Sequence, residues 1–320
     1  MRSLPSWAYE AALLLTVLVW GVNFAVIKLA LAELHPYVVN ALRFAVSAGA
    51  LGLAHWATSR PEPGPDGTRG PSRFWLPMRV APWRIVGLGL LGYVGYQVCF
   101  ILGVNLTTAG SAGLIIGSAP ALTALFARLF KIERLSAAAW VGLTISLAGM
   151  AVVILFGPHD PDETFDEGQR LVWGNLLMGV AAVLWSLYTV VSRPVMDSGA
   201  SPTGAAFFGV VVALPFLFGF GWLEAGGIEW GAVSATAWWA IVFSGGLSTG
   251  LAYAVWNEAV KAVGPSHTAA FTNLVPFLAV ASGALMLGEP VTLAQVAGGA
   301  LIIGGLVLMR RARRRNAASR

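Results

Sequence analysis

Few side chains in this sequence could do chemistry, and those few lie inside apolar stretches. Trp20 and Asn23 stand one helical turn apart, as do Trp185 and Tyr188. Tyr93, Tyr96 and Gln97 repeat the spacing of Tyr253, Trp256 and Asn257, three and four residues, which is that of one helical face. Such sets bind a molecule rather than break its bonds. An aromatic face suits the flat or apolar part of a small solute and attracts an ammonium by about 0.5–2 kcal/mol. Tyrosine also anchors helices at a bilayer interface, so the same residues have a purely structural use. Two charged groups are candidate partners. Arg43 can meet either a substrate carboxylate or Glu33, and Glu258 is the best-placed carboxylate for proton coupling, although its position suits helix-end solvation too.

Enzyme chemistry finds no support. His35, His55, His159 and His267 form no metal-binding spacing, and no nucleophile, base and orienter can be named together. None of Lys28, Lys131 and Lys261 follows a glycine, which excludes the GxxxxGK phosphate loop. Cys99 stands alone, so neither an internal disulfide nor a CxxC site can form. No metal or cofactor is expected.

Composition says what must position these residues. The chain is 57% hydrophobic and 11% charged, with a mean hydropathy of +0.73; soluble domains carry about 25% charge. Ten apolar stretches have the roughly 20 residues a helix needs to cross a bilayer: 9–32, 36–56, 85–104, 109–130, 136–156, 172–191, 202–222, 239–260, 266–287 and 292–309. The expectation is an all-α polytopic membrane protein. The first stretch is too long for a signal peptide and shows no small-residue cleavage site. Segment 59–83, rich in Pro, Gly and Arg, reads as a solvated loop, and acidic 157–170 as the seam between halves.

A net charge of +5 would suggest a nucleic-acid partner in a soluble chain, but the arginines collect at span ends. Arg2, the arginines of 60–84, Lys131, Arg134, Arg193, Lys261 and the tail beyond residue 309 fall on one side, and Arg170 on the other. Cationic segments stay in the cytoplasm, so both termini are expected inside and segment 160–167 outside. The lipid bilayer and a small solute are the expected partners, with dimerisation left open. With five spans per half, the second half enters the membrane upside down relative to the first.

The halves also echo each other residue by residue. A shift of 156 lays Pro120 on Pro276, Glu133 on Glu289, Gly142 on Gly298 and Gly149 on Gly305. A shift of 165 lays Trp20 on Trp185, Asn23 on Tyr188 and Lys28 on Arg193. The two cations are expected to snorkel to opposite interfaces. Pro120 and Pro276 each remove a backbone donor in mid-span and leave Ile116 and Thr272 with free carbonyls. In lipid such breaks are tolerated beside neighbouring helices or water, and paired breaks in inverted halves point to a transporter's site. Pro215 has no such partner and reads as a bend. Small residues Ala138, Gly142, Ser146 and Gly149, with Ala294, Gly298 and Gly305, read as close-packing stripes.

These features resemble the EamA family of the drug/metabolite transporter superfamily: two five-helix repeats, a tryptophan in the first helix of each, a proline in the fourth, and the Gly288-Glu289-Pro290 turn before the last. The segments Trp256-Asn257-Glu258-Ala259 and Leu287-Gly288-Glu289 match closely, whereas Lys131-Ile132-Glu133-Arg134 lacks the glycine. The resemblance implies an inner-membrane exporter of amino acids, other small metabolites or drugs. It also implies a cavity between helices one to four and six to nine, with five and ten peripheral. The expected layout is repeat 9–156, linker 157–170, repeat 171–309 and basic tail 310–320. Trp20, Asn23, Tyr96, Gln97, Trp185, Tyr188, Tyr253 and Asn257 would line the site, and Pro120 and Pro276 would gate it. The alternative is a sensor or assembly partner that keeps the fold without transporting.

Overall fold

The computed structural model describes residues 6–59, 73–132, 134–157, 165–263, 268 and 271–318, with the side chains of 6, 165–167, 196, 257, 258, 260–263 and 313–318 excluded. Among them the chain is all-helical. Nine helices are long and apolar enough to cross a membrane: α1 (Trp7–Leu31), α2 (Pro36–Thr58), α3 (Pro82–Leu106), α4 (Ala109–Leu129), α5 (Ala137–Phe156), α6 (Gly168–Val195), α7 (Pro202–Ala225), α8 (Ala235–Trp256) and α10 (Leu293–Ala312). Between α8 and α10 lies a shorter apolar helix, α9 (Thr272–Leu287), preceded by residues outside the described set. The expected span 266–287 is therefore seen only in part. A multi-pass membrane protein follows.

Local chemistry sets the helix ends. Thr108, Ser136, Ser201 and Ser234 each take a backbone N–H of the first turn on the side-chain oxygen, at 3.1–3.3 Å, which satisfies donors that a helix start leaves orphaned. Gly288 ends α9 in the left-handed region at φ 67°. Glu289 N–H then returns to Gly283 O at 3.2 Å, a glycine-dependent stop. In the corresponding turn of the first half, Lys131 adopts φ 60° without glycine. The expected loop 59–83 is shorter than the sequence suggested. Leu76–Val80 is helical and α3 begins at Pro82. Pro77 and Pro82 occupy first-turn positions, where proline's missing donor costs nothing.

The helices group into two compact units. The first holds Met1–Val19, Leu29–Gly95 and Val191–Thr268. In it α2 packs along α7 and along a π-helical stretch of α8, Phe243–Leu251, and α7 packs on a second π-helical stretch, Gly89–Gly95 of α3. Both stretches are glycine-rich, and the 156-residue shift lays Gly89–Gly95 within Phe243–Leu251. A ring of aromatics, Phe74, Phe207 and Phe208, surrounds His55, whose Nε2 lies 2.8 Å from Phe74 O.

The second unit holds Trp20–Lys28, Tyr96–Val190 and Ala269–Arg320. Its most extensive pairing is α5 against α10. A Cβ on Gly149 would lie 2.6 Å from Gly298 O, and one on Gly142 would lie 2.6 Å from Gly305 O. The small-residue stripes therefore bring the two backbones together as expected, gaining dispersion contact that larger side chains would block.

Candidate substrate-binding site

The second unit assembles most of the expected residues. Asn23 on α1 is 7% exposed, and its Oδ1 has no partner among the described residues. Its neighbour Phe24 meets Phe100 on α3 at 5.7 Å between ring centroids. Phe100 touches Tyr96 at 5.6 Å, Tyr96 touches Trp185 on α6 at 5.1 Å, and Trp185 stacks on Tyr188 at 5.3 Å and 22°. An unbroken chain of rings thus runs from α1 through α3 to α6. Spacings near 5–6 Å are those of favourable aromatic pairs. Gln97, 6% exposed, follows Tyr96, and Trp20 precedes Asn23 by one turn, half-buried.

The two helix breaks meet in the same unit. α4 is helical over Ala109–Gly117, turns at Ser118 and restarts at Ala119; α9 restarts at Val275 after a tight turn over Thr272–Leu274. The restarts are 156 residues apart. Pro120 and Pro276 are each the second residue of the new segment, not interior residues as the sequence suggested. There the absent N–H would have been unpaired in any case. Thr272 O is taken by the Val275 N–H, so its carbonyl is not left free. Beside the α4 break, Ser186 Oγ donates to Ala119 O at 3.0 Å. Gly117 lies against the Pro276 ring so closely that no Cβ would fit, and Gly113 and Gly110, one turn and two turns along α4, face Ala279 and Val280. The breaks of α4 and α9 are therefore in contact.

Sequence reasoning missed the polar knot of this unit. The Glu289 carboxylate accepts from Ala109 N at 2.9 Å and Gly110 N at 3.3 Å, at the start of α4. Lys28 Nζ lies 3.7 Å from Glu289 Oε1 and donates to Thr107 O at 2.5 Å and Val104 O at 3.4 Å. The expected snorkelling of Lys28 is thereby corrected. Its ammonium is held by three acceptors, the carboxylate included, and the carboxylate sits where a helix N-terminus attracts negative charge. Nearby, Gln295 on α10 reaches Thr108 and Ser111, and Thr107 donates to Asn175 at 2.5 Å. Both charged residues lie near span ends in the sequence, and pairing between them left no trace in spacing.

The other expected residues belong to the first unit. Tyr93, 3% exposed, packs edge-on to Phe44 at 6.2 Å and against Gly209. The π-helical stretch ends between Tyr93 and Tyr96, and its wider turn breaks the single face that α-helical spacing predicts. Arg43, 2% exposed, lies 5.1 Å over the Phe44 ring. Glu33 pairs elsewhere: Ser234 N–H and Oγ donate to it at 2.7 and 2.5 Å. Those bonds hold its carboxyl below the usual range. Tyr253 is half-buried on α8. The side chains of Asn257 and Glu258, like Glu133 and His267, lie outside the described residues.

Comparison with known proteins fits this architecture. The profile of the EamA-like transporter family matches residues 7–155 and again residues 172–311. The chain belongs to that family. It is 31% identical over 318 residues to a protein of Streptantibioticus cattleyicolor named "Probable terminal-alkyne amino-acid exporter", covering 96% of each chain. It is 26% identical to the "Probable amino-acid metabolite efflux pump" of Salmonella typhimurium over 306 residues, 92% of each chain. A solved crystal structure shares the fold, with a TM-score of 0.63 at 23% identity, covering 96% of this chain and 99% of that one. In this EamA-like chain the aromatic path and the abutting breaks lie in one compact unit.

Proposed function

We propose that this chain is a ten-span secondary transporter that exports a small organic solute, an amino acid or a related metabolite, across the inner membrane by alternating access. The observation that carries this reading is the contact of two broken helices, α4 and α9, in the unit that also holds the ring chain Phe24–Phe100–Tyr96–Trp185–Tyr188. Helix breaks in matching positions of two halves point to a transporter's binding site. The coincidence of both breaks and both π-helical stretches under one shift of 156 supports two five-helix repeats, 9–156 and 171–309, in opposite orientations. The names of the two exporters similar to it support an amino-acid-like cargo.

In this reading Trp20, Asn23, Tyr96, Gln97, Trp185, Tyr188, Tyr253 and Asn257 line the path, and the segments begun by Pro120 and Pro276 gate it. Arg43 and Glu258 are the charge partners. No cofactor takes part, and both termini face the cytoplasm. Purified protein in proteoliposomes, preloaded with a panel of amino acids and amines, should exchange at least one labelled solute. Trp185→Ala should insert normally and lose that flux. No flux for any solute with correctly inserted protein would refute transport and favour a non-transporting sensor.

A further inference from the structure

Where α2 ends and α7 begins, a polar clip holds a short segment against the helices. His55 is 1% exposed and engages both of its ring nitrogens. Its Nε2 lies 2.8 Å from Phe74 O. A carbonyl can only accept, so Nε2 carries the proton and Nδ1 accepts from the Ser59 hydroxyl at 3.1 Å. Arg73 N–H donates to Ser59 O at 3.2 Å, a second tie between the same two pieces of chain. Just beyond, Leu76–Val80 is helical and lies on the first turn of α7, where a Cβ on Gly204 would lie 2.6 Å from His55 Cε1 and 2.8 Å from Pro77 Cγ. At the start of α3, Arg84 Nη1 donates to Pro194 O at 3.5 Å, which brings Pro194 and its neighbour Arg193 to the same end of the first unit.

The clipped segment holds an unusual set of side chains outward. Trp75 and Trp83 are 58% and 84% exposed, and Arg73, Arg79, Arg84 and Arg193 are exposed as well. Across residues 73–84 and 193–197, Asp197 is the sole carboxylate. Both residue types fit one depth of a bilayer. An indole prefers the headgroup layer, where its ring meets apolar surroundings and its N–H stays wet. A guanidinium presents a planar fork of donors that matches two phosphate oxygens. A fully solvated loop has no use for exposed indoles, and a helix face in hydrocarbon does not carry four arginines. Four guanidiniums against one carboxylate also favour a lipid whose phosphate charge is uncompensated over one that brings its own cation.

We propose that this end of the first unit is a docking surface for the headgroups of anionic phospholipids. Arg73, Arg79, Arg84 and Arg193 contact the phosphate, Trp75 and Trp83 set the depth, and His55 is the positioning residue that fixes segment 73–80 on the helices beneath it. The proposal depends neither on what the chain carries nor on which side of the membrane this end occupies.

The test uses full-length protein in a neutral maltoside detergent, titrated with dioctanoyl phosphatidylglycerol, dioctanoyl phosphatidylcholine or glycerol phosphate and followed by ligand-dependent thermal unfolding. Phosphatidylglycerol should bind at least about tenfold more tightly than phosphatidylcholine, and the preference should shrink in high salt. Arg79→Gln and Arg84→Gln should each weaken phosphatidylglycerol binding about fivefold. Arg170→Gln, at an exposed position in the second unit, should leave it unchanged. His55→Leu keeps every arginine yet should lose most of the preference, because the segment is no longer held. Where His55→Leu fails to fold, the two arginine variants, made at exposed positions, carry the test. Equal binding of the two lipids, or arginine variants that bind phosphatidylglycerol as the wild type does, would overturn the proposal and leave the tryptophans as anchors to any bilayer. Glycerol phosphate binding as tightly as phosphatidylglycerol would overturn the choice of a lipid in favour of free phosphate. A folded His55→Leu variant with the full preference would remove His55 from the surface's design.

Discussion

Removing the Glu289 carboxylate should cost more than removing the lysine it faces, although both belong to one ion pair. Glu289 serves two backbone donors of α4, at 2.9 and 3.3 Å, besides Lys28 at 3.7 Å. A hydrogen bond to a charged group contributes about 1.5–3 kcal/mol when well formed, so the shorter bond is worth about 1.5 and the longer one about half that. The side chains of Lys28 and Glu289 are 23% and 13% exposed, so solvent screens the pair and its direct attraction adds only about 0.5–1 kcal/mol. Glu289→Ala should therefore destabilise by about 3 kcal/mol, and Glu289→Gln, which keeps one acceptor oxygen, by about half as much. Lys28→Met should cost only about 1 kcal/mol, because the penalty of burying the ammonium offsets much of what its bonds to Thr107 O and Val104 O contribute, and the double mutant should return a coupling of about 0.5–1 kcal/mol. Equilibrium unfolding in mixed micelles measures all four proteins. A Glu289→Ala variant within about 0.5 kcal/mol of wild type, or a coupling of zero, would refute the idea that this carboxylate ties α1, α4 and α9 together.

Two further outcomes follow from single contacts. Gly149→Leu should destabilise by about 1–3 kcal/mol or more in the same unfolding assay, because its Cβ would meet backbone on α10; Gly219→Ala, with nothing within 4 Å of the new atom, should be close to neutral. Glu33 has a lowered folded-state pKa because Ser234 donates to it twice. Its stabilising effect is therefore full above the ordinary carboxylate range and is lost as pH falls through the lowered value. Melting curves taken across that acidic window should show the loss in wild type and not in Glu33→Gln.

Much of the fold was legible because hydropathy reports it directly. Helix starts at Pro36, Ala109 and Pro202 and ends at Phe156 and Leu287 agree with the apolar runs, and Ser and Thr caps explain several of them. The small-residue stripes of α5 and α10 were legible for the same reason, since alanines, serines and glycines recurring on one face leave little else to do than pack. What was not legible depends on helix geometry that spacing assumes constant. Tyr93 and Tyr96 count as neighbours on an ideal α-helix, yet the π-helical turn before Gly95 gives them different surroundings. The glycines of 89–95 and 245–250 were the available signal for that widening. Lys28 was read as an interface cation because nothing in a linear sequence shows that residue 289 returns to it. Of the candidate site, the contact between Tyr96 and Trp185 was prefigured only as two separate aromatic faces.

The most direct test of an internally duplicated, oppositely inserted chain is which side of the membrane its seam occupies. In a Cys99→Ser background, Gln169→Cys and Arg311→Cys place single thiols at exposed positions at the start of α6 and the end of α10. A membrane-impermeant thiol reagent applied to intact spheroplasts should label Gln169→Cys at once and Arg311→Cys only after the membrane is opened. Labelling of both thiols from the same side would contradict two five-span halves of opposite orientation.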